Sequence, residues 1–350
     1  MKHRQAAFEN TGNKMLKGAL HCHTTRSDGK GTPAEVIRKH YENGYDFMAL
    51  TDHRRYNYEN FADVPMTILP GMELDSNFEG SYNGMVHCHH IVCVGHTKEH
   101  GNGFEQDQRF ESLTIRHAVE TQPLIDMAHA NGNLTIYCHP EWSGTPKSDF
   151  DMLYGNFAME IWNSGCAMEN DQDTNAAYWD EMLSDGHRIY GVATDDGHAM
   201  NEHCVGWVRV NAKNDVESIL TGLQSGAFYS SCGPEIYDFY VENGVAHVEC
   251  SPVKTIVLKH LRMPFHVAEP AEGETTLTSA DFEVKPAIEY VRAVVRDEQG
   301  RRAWSNPIFL TPEDFKKYRG VRVLSFQEKR KNQRKADWLF SRECFLVRTF

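Results

Sequence analysis

Histidines and carboxylates occur in short motifs that could bind divalent metal ions. His21 and His23 form an H-x-H pair, and alternate residues of an extended strand project from the same side. Thr51–His53 and Pro70–Glu73 end in further residues of this kind. Histidine and carboxylate ligands together suit Zn²⁺, Mn²⁺ or Fe²⁺. Each motif alone is a weak signal, because such residues are also common on polar surfaces and in turns.

Each of these motifs directly follows an apolar run. The runs end at five positions, which are Leu20, Leu50, Leu69, Tyr137 and Ala193. The polar segments that follow them are His21–His23, Thr51–His53, Pro70–Glu73, Cys138–Pro140 and Thr194–His198. In a barrel of parallel strands, the carboxyl ends of the strands meet on one face, where active sites are built. The sequence therefore predicts that five distant segments converge on one metal site.

Strand-like and helix-like segments alternate in the first half of the chain. Thr32 to Asn43 is predicted to be a helix, with Thr32 as its N-cap, Pro33 at the first position and Glu35 completing a capping box. A second helix is predicted from Pro123 to Asn131. Apolar runs between these segments read as strands, and this alternation predicts parallel strands joined by crossover helices.

The pattern changes after about residue 228. Short β-like runs separated by Gly, Pro, Asp and Asn predict a smaller antiparallel β-rich segment. Residues 312–350 hold eleven Lys and Arg against five Asp and Glu, and they read as a basic C-terminal extension. We therefore expect three parts, with a catalytic barrel at 15–230, a β-rich domain at 231–311 and the extension at 312–350.

Composition excludes several classes of protein. The 350 residues carry a net charge of −13 and are 40% hydrophobic. No apolar run approaches the ~20 residues of a membrane-spanning helix, and the first residues lack the apolar stretch of a signal peptide. The acidic balance argues against general nucleic-acid binding and suits a site that gathers divalent cations. We expect a small-molecule substrate. Nine cysteines without a C-x-x-C motif suggest buried free thiols in a reducing cytoplasm. The sequence does not indicate an oligomeric state.

The ordered set of motifs resembles the PHP (polymerase and histidinol phosphatase) superfamily. The set comprises H-x-H, S-D-G, T-D-H, G-x-E, H-I-V-x-x-G, H-P and D-x-H, and it covers about residues 15 to 230. The resemblance implies an α/β fold with a distorted (β/α)7 barrel and two or three divalent metal ions. Gly226–Glu235 and Tyr290–Leu310 are similar to a stand-alone branch that includes carbaryl-hydrolase-like enzymes.

The resemblance also implies a ligand set. By their match to the family motifs, His21 and His23 would bind the first metal, and Glu73 would bridge the first and second metals. His90 and His139 would complete the second site. Asp28, His53 and His198 would bind the third metal. This segment offers His87, His89 and His90, and the family pattern selects His90. An aspartate would close the first site, and both Asp195 and Asp196 remain candidates.

Two hydrolytic reactions fit such a cluster. Two metals can share one hydroxide, lowering the pKa of water from 15.7 towards ~7. This chemistry suits a phosphoester, our first hypothesis, or a carbamate, ester or amide. His53 or His198 could act as general acid if two metals bind, and Arg54 could grip a phosphate. No G-x-S-x-G or Walker A motif occurs. A third hypothesis is a non-catalytic metal-binding scaffold whose β domain recognises a partner or sugar.

Two acidic residues near the predicted site have less certain roles. Asp52 is expected to orient a histidine rather than bind a metal. Glu160 ends a predicted strand, and it could either face the site or cap a helix.

Overall fold

A computed structural model describes residues 4–9, 15–81, 87–96, 103–261, 263–285, 288–311 and 314. The basic extension predicted at 312–350 lies outside the described residues except for Asp314.

The described part of the chain contains six α-helices and twenty strands. The helices are α1 (Pro33–Glu42), α2 (Gln122–Ala130), α3 (Lys147–Phe150), α4 (Ser164–Asn170), α5 (Asn175–Ser184) and α6 (Val216–Gln224). The first ten strands are β1 (Arg4–Ala6), β2 (Leu16–Ala19), β3 (Phe47–Ala49), β4 (Thr67–Leu69), β5 (Gly71–Phe78), β6 (Cys88–Val94), β7 (Leu113–Ile115), β8 (Leu134–Tyr137), β9 (Ala158–Asn163) and β10 (Tyr190–Thr194). The other ten are β11 (Trp207–Val210), β12 (Phe228–Ser231), β13 (Ile236–Glu242), β14 (Val245–Val253), β15 (Thr255–His260), β16 (Met263–Ala268), β17 (Leu277–Glu283), β18 (Tyr290–Arg296), β19 (Arg302–Ser305) and β20 (Ile308–Phe309).

Helix α1 begins as its sequence predicts. The Thr32 hydroxyl accepts a hydrogen bond from the Glu35 backbone N–H, and the Glu35 carboxylate accepts one from the Thr32 backbone N–H at 2.8 Å. These two bonds satisfy donors that a helix start leaves unpaired. The helix buries Val36, Ile37 and His40, and it connects the parallel neighbours β2 and β3.

A six-stranded sheet runs in the order β10-β9-β8-β6-β5-β7. Strands β8, β9 and β10 are parallel, as expected, but β6 is antiparallel to both β5 and β8. The prediction of uniformly parallel strands is therefore wrong here. The reason is that β5 and β6 pair directly with each other, without a helical crossover between parallel strands.

The distorted (β/α)7 barrel is confirmed only as a mixed α/β fold. Among the described strands, the hydrogen-bonded ladder does not close into a ring. The two large sheets meet at isolated bridges, Cys22 with Gly197 and His53 with Glu73. A single apolar cluster nevertheless draws on both sheets, and its members include Leu20, Phe47, Leu69, Val92, Ile136, Ala158, Val192 and Val208. The strands thus surround a common core although their backbone pairing is open.

The C-terminal half is antiparallel and β-rich, as predicted. Strands β1, β13, β14 and β17 form a four-stranded sheet in that order. The ten-stranded sheet runs from β16 through β15, β18, β19 and β12 to β11, and then to β2, β3 and β4, and its tenth strand, β20, pairs with β18 off this path. Because β19 pairs with β12, the C-terminal strands extend the sheet that carries the first motif. The domain boundary at residue 230 remains a prediction.

Two further expectations concern the whole chain. No helix in the described ranges has the length and apolar character needed to cross a bilayer. Eight described cysteines are free thiols, and seven of them are buried.

Candidate metal centre

The predicted ligands converge at the ends of strands and on the paired strands β5 and β6. His21 and His23 follow β2, His53 follows β3, and His139 follows β8. Asp196 and His198 follow β10. Arg54, His139 and Asp196 have positive φ values of 54°, 25° and 51°. Backbone strain of this kind is concentrated at functional sites, and here it occurs where the chain turns after three of these strands.

The first group of ligands comprises His21, His23, Glu73 and Asp196, whose ligand atoms lie within 4.8 Å of one another. The Nε2 atoms of the two histidines are 3.2 Å apart. Asp196 Oδ1 lies 3.1 Å from His21 Nε2 and 2.9 Å from His23 Nε2. Glu73 reaches the same two nitrogens, each at 3.3 Å. Four side chains therefore surround one point.

The second group comprises His53, Glu73 and His90. His90 Nδ1 lies 2.9 Å from Glu73 Oε1, and His53 Nδ1 lies 2.9 Å from Glu73 Oε2. His139 Nε2 approaches the same carboxylate, at 3.4 Å from Oε1. Glu73 therefore lies between the first and second groups, the position that the resemblance implies for a bridging ligand.

The third group comprises His23, Asp28, His53 and His198. The Asp28 carboxylate lies 3.5 Å from Nε2 of both His53 and His198, and 3.6 Å from His23 Nδ1. This group is the most open of the three, because the Asp28 side chain is 55% exposed whereas Glu73 is 1% exposed.

Hydrogen bonds on the outer side of the cluster fix which nitrogen of a histidine carries the hydrogen. His21 Nδ1 lies 2.6 Å from Glu160 Oε1, and a carboxylate accepts there. His198 Nδ1 lies 2.9 Å from the backbone carbonyl of Asp196, which can only accept. Both rings therefore carry the hydrogen on Nδ1 and turn the Nε2 lone pair towards the other ligands, the arrangement that second-shell partners impose on metal-bound histidines.

His23 and His139 have similar partners. The Ser27 hydroxyl donates to Asp52 at 2.9 Å, and its oxygen lies 3.4 Å from His23 Nδ1, the nitrogen that also faces Asp28. His139 Nδ1 lies 3.1 Å from the Ser143 hydroxyl. Asp52 thus contacts no imidazole directly in the described contacts, but it acts on His23 through Ser27.

Glu160 is the residue whose role sequence reasoning left open. It is fully buried, and its second oxygen accepts from the His139 backbone N–H at 3.0 Å and from Asn163 Nδ2 at 2.9 Å. The signal in the sequence is a charged residue inside the apolar run Ala158–Trp162, because a carboxylate buried in a strand needs partners.

The geometry of the groups fits divalent ions. Nitrogen and oxygen ligands lie about 2.0–2.2 Å from such an ion, so neighbouring ligands of one ion lie roughly 2.8–3.8 Å apart at ligand–ion–ligand angles of about 90–120°. The first group matches this spacing, with separations between 2.9 and 3.3 Å. Moreover, Glu73 Oε2 and His53 Nδ1 are buried 2.9 Å apart without the alignment of a hydrogen bond between them. Acceptor atoms crowded in this way require a cation between them or extra protons.

Charges within the cluster shift the pKa values strongly. Burial opposes the charge on His53, but the Glu73 carboxylate and Asp28 outweigh it and raise the pKa of His53 to about 10. For His198, burial is likewise outweighed by Asp28 and Asp196, and its pKa rises to about 9. Burial alone would raise the pKa of Glu73, yet the surrounding histidines hold it well below the ordinary value. Without metal, protons take the place of the cation.

The structure distinguishes the alternatives that the sequence left open. Asp196 lies in the first group, whereas Asp195 points away and accepts from the backbone N–H groups of Cys204, Val205 and Gly206 at 2.6, 2.9 and 2.7 Å. Asp195 therefore does not belong to the first group, because its carboxylate faces the loop at residues 204–206 and not Glu73.

His90 and His89 point to opposite faces of β6. The side chain of His90 reaches Glu73, while His89 Nδ1 bonds the Tyr137 hydroxyl at 2.8 Å. In the β5–β6 register, Glu73 lies opposite Val92, so His90 is its diagonal neighbour on the same face.

Two cavities open onto the cluster. One, of about 250 Å³, is lined by ligands from all three groups together with Trp142, Cys166, Glu169, Asn170 and Glu202. The other, of about 420 Å³, shares Asp28 and His53 with the first and adds Arg26, Arg54 and Arg109. Arg54 pairs with Asp75 at this rim, so the structure places it beside the cluster and not among the ligands.

The chain shows only limited similarity to known proteins. No family model matches the chain. A 5'-3' exoribonuclease of Haemophilus influenzae is 30% identical over 114 residues, which are 31% of this chain and 39% of that enzyme. The chain thus matches well under half of the length of that curated relative.

Three solved structures are similar at low scores. A two-domain protein from Bacteroides vulgatus that contains a PHP-like metal-dependent phosphoesterase has a TM-score of 0.45 and 14% identity, covering 82% of this chain and 92% of that one. An amidohydrolase from Chromobacterium violaceum gives 0.38 and 15%, covering 53% and 88%. A metal-dependent phosphoesterase from Bifidobacterium adolescentis gives 0.39 and 13%, covering 61% and 98%. Similarity at this level does not establish a family for the chain.

Proposed function

We propose that the protein is a metal-dependent hydrolase of the PHP type that cleaves phosphoester bonds in a small substrate. The observation that carries this proposal is the position of Glu73, a buried carboxylate within 2.9–3.4 Å of five histidine rings, which are the four of the first and second groups and that of His139. A carboxylate shared between two sets of ligands is what a pair of metal ions with a common bridge requires.

The cationic rim favours a phosphoester over a neutral carbonyl substrate. Arg26, Arg54 and Arg109 line the cavity that shares Asp28 and His53 with the cluster, together with Glu111. Arg26 pairs with Asp107 and Arg54 pairs with Asp75, so Arg109 supplies the available charge. No ion pair is found for Arg109 among the described residues, and its guanidinium is exposed there. Guanidinium groups bind phosphate oxygens through paired hydrogen bonds. A neutral carbamate would leave this charge unused.

The chain's own residues would hold and orient the reactants. Zn²⁺, Mn²⁺ or Fe²⁺ bound in the groups would supply Lewis-acid activation of water and of the substrate. Glu160 and Ser143 keep the His21 and His139 rings turned towards that centre. His53 and His198 sit at the open edge, where they could donate a proton to the leaving oxygen if the third group holds no ion.

The similarity to a 5'-3' exoribonuclease suggests which phosphoesters to test. That enzyme's name specifies RNA, and the shared segment is 114 residues at 30% identity. Short oligonucleotides therefore belong among the candidate substrates beside phosphate monoesters. The second candidate function is hydrolysis of a carbamate, ester or amide, which rests on the resemblance of the C-terminal part to carbaryl-hydrolase-like enzymes.

A substrate panel tests the proposal. Protein loaded in turn with Zn²⁺, Mn²⁺ or Fe²⁺ is offered p-nitrophenyl phosphate, bis(p-nitrophenyl) phosphate, a short RNA and an aryl carbamate. We expect turnover of at least one phosphoester and its loss in Glu73→Gln, which keeps the shape of the side chain but removes its charge. His117→Gln is the matched control, because His117 is exposed and remote from the three groups.

The outcomes separate the hypotheses. Turnover of the carbamate alone would replace the phosphoesterase proposal with the second candidate. Metal bound in the expected amount but no turnover of any substrate would favour the metal-binding scaffold. Equal activity in Glu73→Gln and the control would show that the shared carboxylate is not needed.

A further inference from the structure

A second cluster of possible ligands lies on the opposite side of the strand end that carries Asp196. His40 of α1, Asp195 at the end of β10 and His203 in the following loop bring one ligand atom each within 4.8 Å of the others. All three side chains are buried, with exposed fractions of 0%, 0% and 2%. None of them lines the cavities that open onto the Glu73 cluster.

Polar atoms in this cluster lack partners. His40 Nδ1 lies 2.8 Å from the Val36 carbonyl, so it carries the hydrogen and leaves Nε2 facing the cluster. His40 Nε2 and both ring nitrogens of His203 are buried without a hydrogen-bond partner among the described residues. Each unsatisfied buried polar atom destabilises a fold, and such atoms call for a bound group.

The separation of His40 from Asp195 fits a shared ion better than a direct bond. His40 Nε2 and Asp195 Oδ2 are 3.7 Å apart, which exceeds the length of a hydrogen bond. Two ligands at about 2.0–2.1 Å from one ion stand roughly 3.3–3.8 Å apart at tetrahedral or wider angles. A proton shared by His40 and Asp195 could not also satisfy His203, whereas a metal ion could bind all three side chains.

The carboxylate is held in position for this role. Asp195 Oδ1 accepts from Val205, Gly206 and the Ser164 hydroxyl, and Oδ2 accepts from the Cys204 backbone N–H. Oδ2 thus accepts one hydrogen bond, and its remaining lone pair is available on the side of His40. The loop 203–206 wraps around this carboxylate, and that places the His203 ring next to it.

We propose that His40, Asp195 and His203 form an additional site for a divalent transition-metal ion, of the class that binds two imidazoles and one carboxylate. Three protein ligands leave a position for water on a tetrahedral ion. The ion would join helix α1 to the loop that carries Asp196 and His198. The His203 ring also packs on Gly197, where an added Cβ would stand 2.5 Å from Nδ1. The site would therefore hold the Asp196–His198 segment from the side away from the Glu73 cluster, and it would not contact substrate.

Metal analysis of the full-length protein tests the proposal. Protein equilibrated with Zn²⁺ and freed of excess ion is measured by elemental analysis. We expect His203→Gln and His40→Gln each to bind about one equivalent less than the wild type, and His117→Gln to bind the same amount. The count does not depend on turnover, so its result is independent of the proposed hydrolase activity.

A second measurement needs no variant. Anomalous scattering at the zinc edge from wild-type crystals should show a peak between His40, Asp195 and His203, in addition to peaks at the Glu73 cluster. Peaks at the cluster without one at this site would overturn the proposal, and so would an unchanged zinc count in folded His203→Gln.

Discussion

Replacing Glu160 with glutamine tests whether a buried carboxylate beneath the metal centre sets its affinity for metal. The carboxylate accepts four hydrogen bonds. Oε1 receives His21 Nδ1 at 2.6 Å and the Thr194 hydroxyl at 2.7 Å, while Oε2 receives the His139 backbone N–H at 3.0 Å and Asn163 Nδ2 at 2.9 Å. A glutamine has one acceptor oxygen, so its amide NH₂ must face two of these donors whichever way it turns.

The most damaging arrangement places the NH₂ group against His21. The ring would then have to move its hydrogen to Nε2, the atom that faces Glu73 and Asp196. Losing a hydrogen bond to a charged group costs about 1.5–3 kcal/mol. Since about 1.4 kcal/mol corresponds to a tenfold change, this loss equals roughly ten- to a hundredfold in affinity. Substitutions of such outer partners lower metal affinity by a similar 10–100-fold.

Zinc affinity is measured by competition with a chromophoric chelator, and hydrolysis is measured at limiting and at saturating metal. We expect Glu160→Gln to lose activity at limiting metal and to recover most of it at saturation. Glu249→Gln, the same chemical change at an exposed position of β14, is the control. An affinity within about threefold of the wild type would refute the reasoning, because it would mean that the orientation of His21 does not depend on this carboxylate.

Three further predictions follow from the same contacts. Asp196→Asn should weaken metal binding at the first group with little effect on the melting temperature of the metal-free protein, whereas Asp195→Asn should lower that metal-free melting temperature, measured by calorimetry, since it weakens three backbone hydrogen bonds. His90→Gln should reduce bound metal, and His89→Gln should not, because only the former contacts the shared carboxylate. The His198 and His53 rings have pKa values raised to about 9 and about 10, so metal binding at pH 8 should release about one proton from each of these two rings, seen by calorimetry in buffers of different ionisation enthalpy. Their stabilisation of the metal-free protein is complete below the ordinary value of about 6.5 and is lost as pH rises through about 9 to 10, so a metal-free melting temperature that stays level across that range would contradict these shifts.

Local signals predicted two of the six described helices and several of the strands, but not how the strands pair. The start of α1 follows from Thr32, Pro33 and Glu35, because a capping box lies within four consecutive residues. The apolar runs of β8 and β10 are also recognisable, because each signal lies within a few consecutive residues. The antiparallel pairing of β5 with β6 could not be read in this way, because the direction of a neighbouring strand leaves no periodic trace in either sequence.

The candidate site was predictable to the extent that its ligands follow a fixed spacing. Alternation along a strand separates His90 from His89, and it also places His21 and His23 together. Alternation could not decide between Asp195 and Asp196, because the strand ends at Thr194 and Asp196 has a positive φ. Alternation no longer applies beyond that point, and the partners of Asp195 come from residues 204 to 206, whose position depends on the folded loop.

The burial of the ligands divides the centre into an inner and an outer part. His21, His23 and Glu73 have side chains at most 1% exposed, and Asp196 is 11% exposed. Asp28, in contrast, is 55% exposed, with His198 at 37%. Ions in the inner part would exchange ligands with solvent slowly, and an ion at the third group would be held by groups that water also reaches. The arginine-lined cavity opens at Asp28, so an anionic substrate that approaches there would first meet an ion bound in the third group. Its phosphate oxygens could then replace water on that ion without displacing any buried ligand.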